Sequence, residues 1–200
     1  MQLSTQNQAL SFDAPPVDRR EILRYARARA DGGAVDALLE DCLAEALPQL
    51  TYRVLCRRLE IEVTPAGVAA AGFRFASRQL AARLEGCAQA VLFAATVGLP
   101  LDRLIARYQR LDPPRALLLN AIGAERVEAL CDAFCAALAE SAICTPRFSP
   151  GYGDLALETQ QTVFQLLDGR QIGVALLDSM LMTPSKSVMA FIGLKTGENE

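Results

Sequence analysis

The residues of this chain best suited to holding a small polar ligand lie in one irregular stretch, Arg147-Phe148-Ser149-Pro150-Gly151-Tyr152-Gly153-Asp154. Two glycines and a proline fix a tight backbone turn, and such a turn lets main-chain N–H and C=O groups approach a ligand closely. Arg147 offers a planar guanidinium fork that fits a carboxylate. Tyr152 adds a flat amphipathic ring and a hydroxyl. Together these groups match a zwitterion with an attached ring. An ordinary helix-to-helix turn with a surface arginine accounts for the same composition.

Three other sets of residues compete with this stretch. Met182-Thr183-Pro184-Ser185-Lys186-Ser187-Val188 has the look of a phosphate binder, but the glycines of GxxxxGK[ST] are missing, so it is not a P-loop. A loop between two strands is the simpler reading. Glu125, Glu128 and Asp132 are spaced i, i+3 and i+7, which lines them along one face of a helix. A carboxylate there could hold a ligand's amine or ribose hydroxyls; a solvated acidic face is the plain alternative. Cys131 and Cys135 sit one helical turn apart and could begin a zinc or iron–sulfur site. Cys144 is nine residues further on and no other ligand falls at a familiar spacing. Core packing is therefore expected of them, and no metal.

Composition removes whole classes of chemistry. The chain has no histidine, which excludes a Ser-His-Asp or Cys-His hydrolase and a histidine-containing zinc site. A net charge of −3 and a pI of about 5.2 argue against broad phosphate-backbone binding, so no nucleic-acid partner is expected. No run of about 20 apolar residues occurs, so no membrane span is expected. The opening MQLSTQNQALSFDAPPVDRR lacks the basic-then-apolar order of a signal peptide. A cytoplasmic location follows as an expectation, with the six cysteines as reduced thiols acting as small hydrophobes.

The elements that must position these groups can be read from periodicity. Residues 1–16 form a polar, flexible lead-in closed by Pro15-Pro16, residues 17–194 a single domain, and residues 195–200 a frayed tail. Asp18 opens a helix with Ile22, Leu23 and Ala26 at helical spacing, stopped by Asp31-Gly32-Gly33. A stronger helix carries Val35, Leu38, Leu39, Cys42, Leu43, Ala46, Leu47 and Leu50 as one stripe, and Pro48 places its end near Ala46. Tyr52, Val54 and Cys56 then alternate, and Leu59, Ile61 and Val63 alternate on a shifted register. That pattern predicts a strand or hairpin with an irregularity near Arg57-Arg58. Ser77 caps a short helix through Leu84, closed at Gly86. Residues 88–98, AQAVLFAATVG, are almost wholly apolar and predict a buried central strand. A helix from Pro100 to about Gln109 is broken by Pro113-Pro114. A long helix over 115–140 follows, with Val127, Cys131, Phe134, Cys135 and Leu138 on its core side. Beyond the irregular stretch come a helix over 158–167, a strand over QIGVALL, the loop DSMLMTPSK and a last strand, SVMAFIGL. Long helices with uneven strand runs predict an α+β fold: one domain with a twisted antiparallel or mixed sheet and several flanking helices.

Taken in order, AATVG, AIGAERVEAL, RFSPGYGD, a glutamine-containing helix, IGVxL and SxxMxPxKSV resemble the activation domain of cobalamin (vitamin B12)-dependent methionine synthase. They resemble more closely the stand-alone bacterial proteins that consist of such a domain only. The resemblance spans residues 88–194, and its order, ending in SMLMTPSKSV, carries it.

The resemblance implies an S-adenosylmethionine-binding reactivation module for reductive remethylation of cob(II)alamin. The methyl donor would bind here, and the cobalamin would be carried by a separate methionine synthase lacking its own activation domain. A flavodoxin-like carrier would supply the electron. Such a module is a component of a methyltransferase activity in methionine biosynthesis rather than a complete enzyme, and it needs no catalytic residue of its own. A chain without histidine cannot supply the usual lower axial ligand of cobalamin, which agrees with the cofactor arriving on another chain.

Within the family's Arg-Pro-x-x-Gly-Tyr-Pro motif, Arg147 matches the arginine that meets the methionine carboxylate. Ser149 would present backbone groups, Gly151 is the motif's glycine, and Tyr152 matches the ligand-contacting tyrosine. Glu128 matches the acidic residue of the long helix. Phe148 replaces the first proline and Gly153 the last, and the family's N-terminal Asp-Trp contact has no counterpart in a chain without tryptophan. Arg147, Tyr152 and the Ser185–Lys186 loop are candidates for the rim of a transient contact with the corrinoid partner. Two alternatives share the fold: a binding or assembly protein that has lost the methyl donor, and a reactivator of another corrinoid methyltransferase.

Overall fold

The computed structural model describes residues 3–195. The strands among them are β1 (Gln8–Ser11), β2 (Arg53–Thr64), β3 (Gly67–Ala70), β4 (Phe73–Phe75), β5 (Cys87–Thr96), β6 (Ile143–Cys144), β7 (Ala175–Leu176), β8 (Met182–Thr183) and β9 (Ser187–Lys195). The α-helices are α1 (Arg19–Tyr25), α2 (Ala34–Ala46), α3 (Arg78–Arg83), α4 (Pro100–Leu111), α5 (Pro113–Ala139) and α6 (Thr159–Leu167). The main sheet runs β4-β3-β2-β5-β9-β6, with β1 paired to the first four residues of β2, while β7 and β8 make a separate short ladder. Every pairing among the described residues is antiparallel. The α+β reading holds, and the sheet is of the antiparallel kind.

β5 is central, hydrogen-bonded to Arg53–Glu60 of β2 on one side and to β9 on the other. Its alternate residues feed two separate cores. Val91, Phe93 and Ala95 pack against the layer formed by α1, α2, α4 and α5. Ala90, Leu92 and Ala94 pack against α3, α6 and the β3–β4 hairpin. A strand covered on both faces must be apolar at every position, which is why the sequence shows a continuous run there rather than an alternation. β9 obeys the same rule, with Ala190 and Ile192 on one side and Met189 and Phe191 on the other. Ring contacts mark each core: Phe93 lies 4.9 Å from Phe134, and Phe75 lies edge-on to Phe191 at 5.0 Å.

The two-sided sheet also corrects the reading of β2. The irregularity expected at Arg57-Arg58 is absent, because β2 is one unbroken strand across that point. Val54 and Cys56 belong to the first core, whereas Leu55 and Leu59 belong to the second with Ile61 and Val63 at its margin. The strand starts sandwiched and ends covered on one face, and this change of cover mimics a change of register.

Three other expectations are corrected. Residues 3–16 are fastened down rather than a flexible lead-in: Leu3 is buried, β1 joins the sheet, and Arg58 donates its N–H to the Ser4 carbonyl at 3.0 Å. Pro113 and Pro114 form the first turn of α5 instead of lying between helices, with Asp112 accepting from the Arg115 N–H at 3.1 Å. Proline suits that position because its missing N–H would be unpaired there anyway. QIGVALL is not one strand: Gln171 and Ile172 end a 3₁₀ turn over Gly169–Ile172, and only Ala175–Leu176 are extended. Of the tail expected to fray, Lys195 ends β9 and residues 196–200 lie outside the described residues. No helix among the described residues is long and apolar enough to cross a membrane.

Candidate functional site

After α5 the chain returns along the outer edge of β9. β6 pairs with Leu194 and Lys195, the Thr145 N–H donates to the Gly193 carbonyl at 2.9 Å, and Phe148 exchanges backbone hydrogen bonds of 2.9 and 2.8 Å with Phe191. Residues 143–148 therefore behave as an edge strand, and neighbours on it point to opposite faces. Phe148 enters the core beneath α3 and α6. Arg147 goes the other way and meets α5. Its Nη1 donates to Asp132 Oδ1 at 2.5 Å and its Nη2 donates to Glu128 Oε2. Burial works against the charge on this half-buried guanidinium, but the hydrogen bond to Asp132 and the charge of Glu128 outweigh it and hold its pKa above the ordinary value.

Beyond Phe148 the chain leaves the sheet and folds over itself. Tyr152 donates its N–H to the Ser149 carbonyl at 3.2 Å, and Gly151 donates to the Leu155 carbonyl at 2.8 Å. Gly151 and Gly153 have φ of +87° and +56°, the left-handed region that glycine enters without penalty. A Cβ at Gly153 would lie 2.0 Å from Gln79 Oε1. Proline, fixed near φ −65°, cannot take that conformation. Replacement of the motif's last proline by Gly153 is thus a difference in turn shape. The next residue, Asp154, accepts from the Ser77 hydroxyl and from the N–H groups of Arg78 and Gln79 at 2.8 and 3.2 Å. It clips the turn onto the start of α3, and those bonds, Ser77 first, hold its carboxyl below its usual pKa.

Because the edge segment departs at Phe148, Ser187–Met189 keep an open outer edge. In an antiparallel ladder alternate residues send N–H and C=O to the same side. Phe191 and Gly193 send theirs toward Phe148 and Thr145, so Met189 and Ser187 aim theirs outward. A cleft of about 390 Å³ opens at this edge, walled by Glu128, Arg147, Ser149 and Tyr152. One end carries charge of both signs. Val188, Met189, Met182 and Pro150 give it apolar surface. Such a cleft can pair an ammonium and a carboxylate, cover a flat ring and offer main-chain groups to it.

Four of the five expected site residues, Glu128, Arg147, Ser149 and Tyr152, come together here. Gly151 shapes the turn without lining the cleft. Glu125 does not share the site with Glu128 and Asp132: it is buried against Arg126 on the side facing the N-terminal segment. Ser185 and Lys186 are occupied elsewhere. Ser185 donates its N–H and hydroxyl to Asp102 of α4, each at 2.7 Å, and Lys186 Nζ donates to Asn120 Oδ1 of α5 at 2.7 Å. They brace the loop, reached through a cis Thr183–Pro184 bond, whose continuation lines the cleft.

Sequence reasoning missed Arg83, Gln160 and the open edge of β9. Two of these had a signal: Gln160 lies in the glutamine-containing helix already singled out, and Ser187 and Val188 fall in the motif that ends the series. Cys131 is fully buried and Cys135 partly so, and burial raises both thiol pKa values. Among the described residues no group of three His, Cys, Asp or Glu is placed to hold a metal ion.

Comparison of the sequence with protein-family models and with curated proteins finds no match. Comparison with solved structures does: the crystal structure of the MetH reactivation domain bound to AdoHcy superposes with a TM-score of 0.67, at 15% sequence identity, over 99% of this chain and 82% of that one. The likeness extends beyond the motif-bearing half of the chain to its N-terminal helices and β1. At that identity it establishes architecture, and the chain has the fold of a methionine synthase reactivation domain.

Proposed function

We propose that the cleft beside β9 binds S-adenosylmethionine and that the chain serves as a reactivation module for cobalamin carried on a separate methionine synthase. The observation that carries this reading is the convergence of Glu128, Arg147, Ser149 and Tyr152 on one cleft, in a fold whose solved relative holds AdoHcy. Arg147 would meet the ligand's carboxylate and Glu128 its ammonium. Ser149 would present main-chain groups, Gly151 would keep the turn tight, and the Tyr152 ring, largely exposed, would cover the ligand from the solvent side. The methyl and electron transfers belong to the corrinoid and to a flavodoxin-like donor; this chain supplies position and shelter from water.

The test is reconstitution. Cob(II)alamin-loaded synthase lacking an activation domain is mixed with this protein, S-adenosylmethionine and a reductant, and methylcobalamin is followed by absorbance. Remethylation no faster than in its absence rejects the reactivation role.

A second reading, a binding protein that has lost the methyl donor, is favoured by one observation. Arg147 is already held by two carboxylates of its own chain. Thermal denaturation separates the readings, because a ligand selective for the folded state raises the melting temperature. A shift with S-adenosylmethionine supports the first reading, and none at millimolar ligand supports the second.

A further inference from the structure

Gln160 is the second residue of α6 and is only 8% exposed. Its main-chain N–H is used, donating to the Leu157 carbonyl at 3.0 Å. Its side-chain Oε1 is buried and has no hydrogen-bond partner. A buried carbonyl oxygen without a donor is costly, because folding strips its water and returns nothing. Other residues have buried polar atoms in that condition, but among the described residues Gln160 is the one that also lines the ligand cleft. Its neighbours on α6, Val163, Leu166 and Leu167, are buried and apolar. A methionine would fill the same place without stranding an acceptor. The fold gains nothing from this acceptor; a ligand in the cleft would.

The chemistry of the cleft narrows what that ligand group is. An ammonium is drawn to the carboxylates of Glu128 and Asp132, which together outnumber the charge of Arg147. A neutral carboxamide oxygen suits a neutral donor, and Met182, Val188 and Met189 beside it suit a ring rather than a charged tail. We infer that Gln160 is a ligand-binding residue whose Oε1, sealed from water within the fold, turns toward the cleft to accept a hydrogen bond from the nucleoside part of the bound molecule. The inference rests on the reading of the cleft as an S-adenosyl site. It adds a residue and a contact that reading does not contain.

The experiment compares wild type with Gln160→Met, which preserves length and removes the amide. Binding of S-adenosylhomocysteine is measured by calorimetry and stability by thermal denaturation without ligand. The expected result is roughly tenfold weaker binding with a melting temperature unchanged or raised. Equal affinity in the two proteins overturns the inference while leaving the S-adenosyl reading in place. Weaker binding with a lowered melting temperature also overturns it, since the residue is then structural. No binding by wild type removes the S-adenosyl reading and this inference with it. S-inosylhomocysteine identifies the donor in the supporting case. If the difference between the proteins vanishes with this analogue, the donor is the adenine N6 amine; if it persists, the donor is a ribose hydroxyl.

Discussion

Two arginine–carboxylate groups sit one turn apart along α5 and serve opposite ends. At Glu125–Arg126 both side chains are essentially removed from solvent, and four of the five guanidinium N–H groups are in hydrogen bonds. The guanidinium meets Glu125 and donates to the carbonyls of Pro15 and Pro16, each at 2.6 Å, while Glu125 also accepts from the Asp18 N–H at 3.0 Å. This cluster staples the N-terminal segment across the long helix. At Arg147 the guanidinium is 26% exposed and its partners more so, Glu128 at 39% and Asp132 at 72%. The first group is closed, because it presents almost no surface through which a ligand could reach it. The second is open and its carboxylates can exchange partners. The same kind of ion pair is structural where it is buried and available for binding where it is exposed.

The comparison is most exposed to failure at Arg126. Arg126→Met leaves Glu125 as a buried unpaired carboxylate and should cost about 3–5 kcal/mol of stability. Urea denaturation measures it, and calorimetry should show ligand affinity little changed in whatever fraction remains folded. The double replacement Glu125→Gln with Arg126→Met should recover much of the loss, because no buried charge is then stranded. A single-variant loss under about 1 kcal/mol would place this pair with surface ion pairs and erase the distinction.

Arg147→Ala should behave in the reverse sense. Its stability cost should stay within about 1 kcal/mol, as for other exposed pairs. Affinity for S-adenosylmethionine should fall by more than about 1.5 kcal/mol, since a charge-assisted contact is lost. Titration calorimetry showing equal affinity in variant and wild type would refute the assignment of Arg147 to the ligand.

The contrast also explains what could be read in advance. Apolar runs and stripes are signals that a core writes directly, so β5, α2, α5, α6 and β9 were legible. Turn chemistry was legible too, which is how the Arg147–Asp154 stretch stood out. Contacts formed at long sequence separation leave no such mark. Glu125, Glu128 and Asp132 share a helical spacing, yet only the last two reach Arg147; Glu125 is claimed by a chain segment more than a hundred residues away. β1 is only four residues, two of them polar, so it left little pattern to read; pairing with β2 and the packing of Leu10 on the first core fasten it. Gln160 and Arg83 became site residues only when a turn from elsewhere in the chain closed over them.

Cys131 tests whether the floor beneath the open pair is inert. It lies fully buried in the core under α5, one turn from Cys135. Cys131→Ala removes a small buried sulfur and should cost about 1 kcal/mol, with Cys135→Ala costing less because that side chain is only partly covered. Ligand affinity should be unchanged in both. Elemental analysis finding stoichiometric zinc or iron in the purified protein would overturn the packing role.

The smallest effect concerns the far end of the ligand turn. Arg147 ties its beginning to α5, and Asp154 ties its end to α3 through Ser77, Arg78 and Gln79. The Asp154 carboxyl titrates below its unfolded value near 3.8 because these donors favour the charged form. A depressed folded-state pKa means that the contribution is complete above about pH 4 and is lost as pH falls through the lower folded value. Asp154→Asn should therefore lower the urea midpoint slightly at pH 6, and the gap between variant and wild type should close as pH is taken below 3.8. The opposite trend, a gap that widens on acidification, would show that the carboxylate does not stabilise the fold. Ligand affinity supplies the second readout at neutral pH. With Asp154 removed the turn keeps its hold on α5 but loses its hold on α3, so affinity should fall by less than it does in Arg147→Ala. If the two replacements weaken binding equally, the turn acts as one rigid body, and the open pair at Arg147 owes its function to the whole clasp rather than to its own exposure.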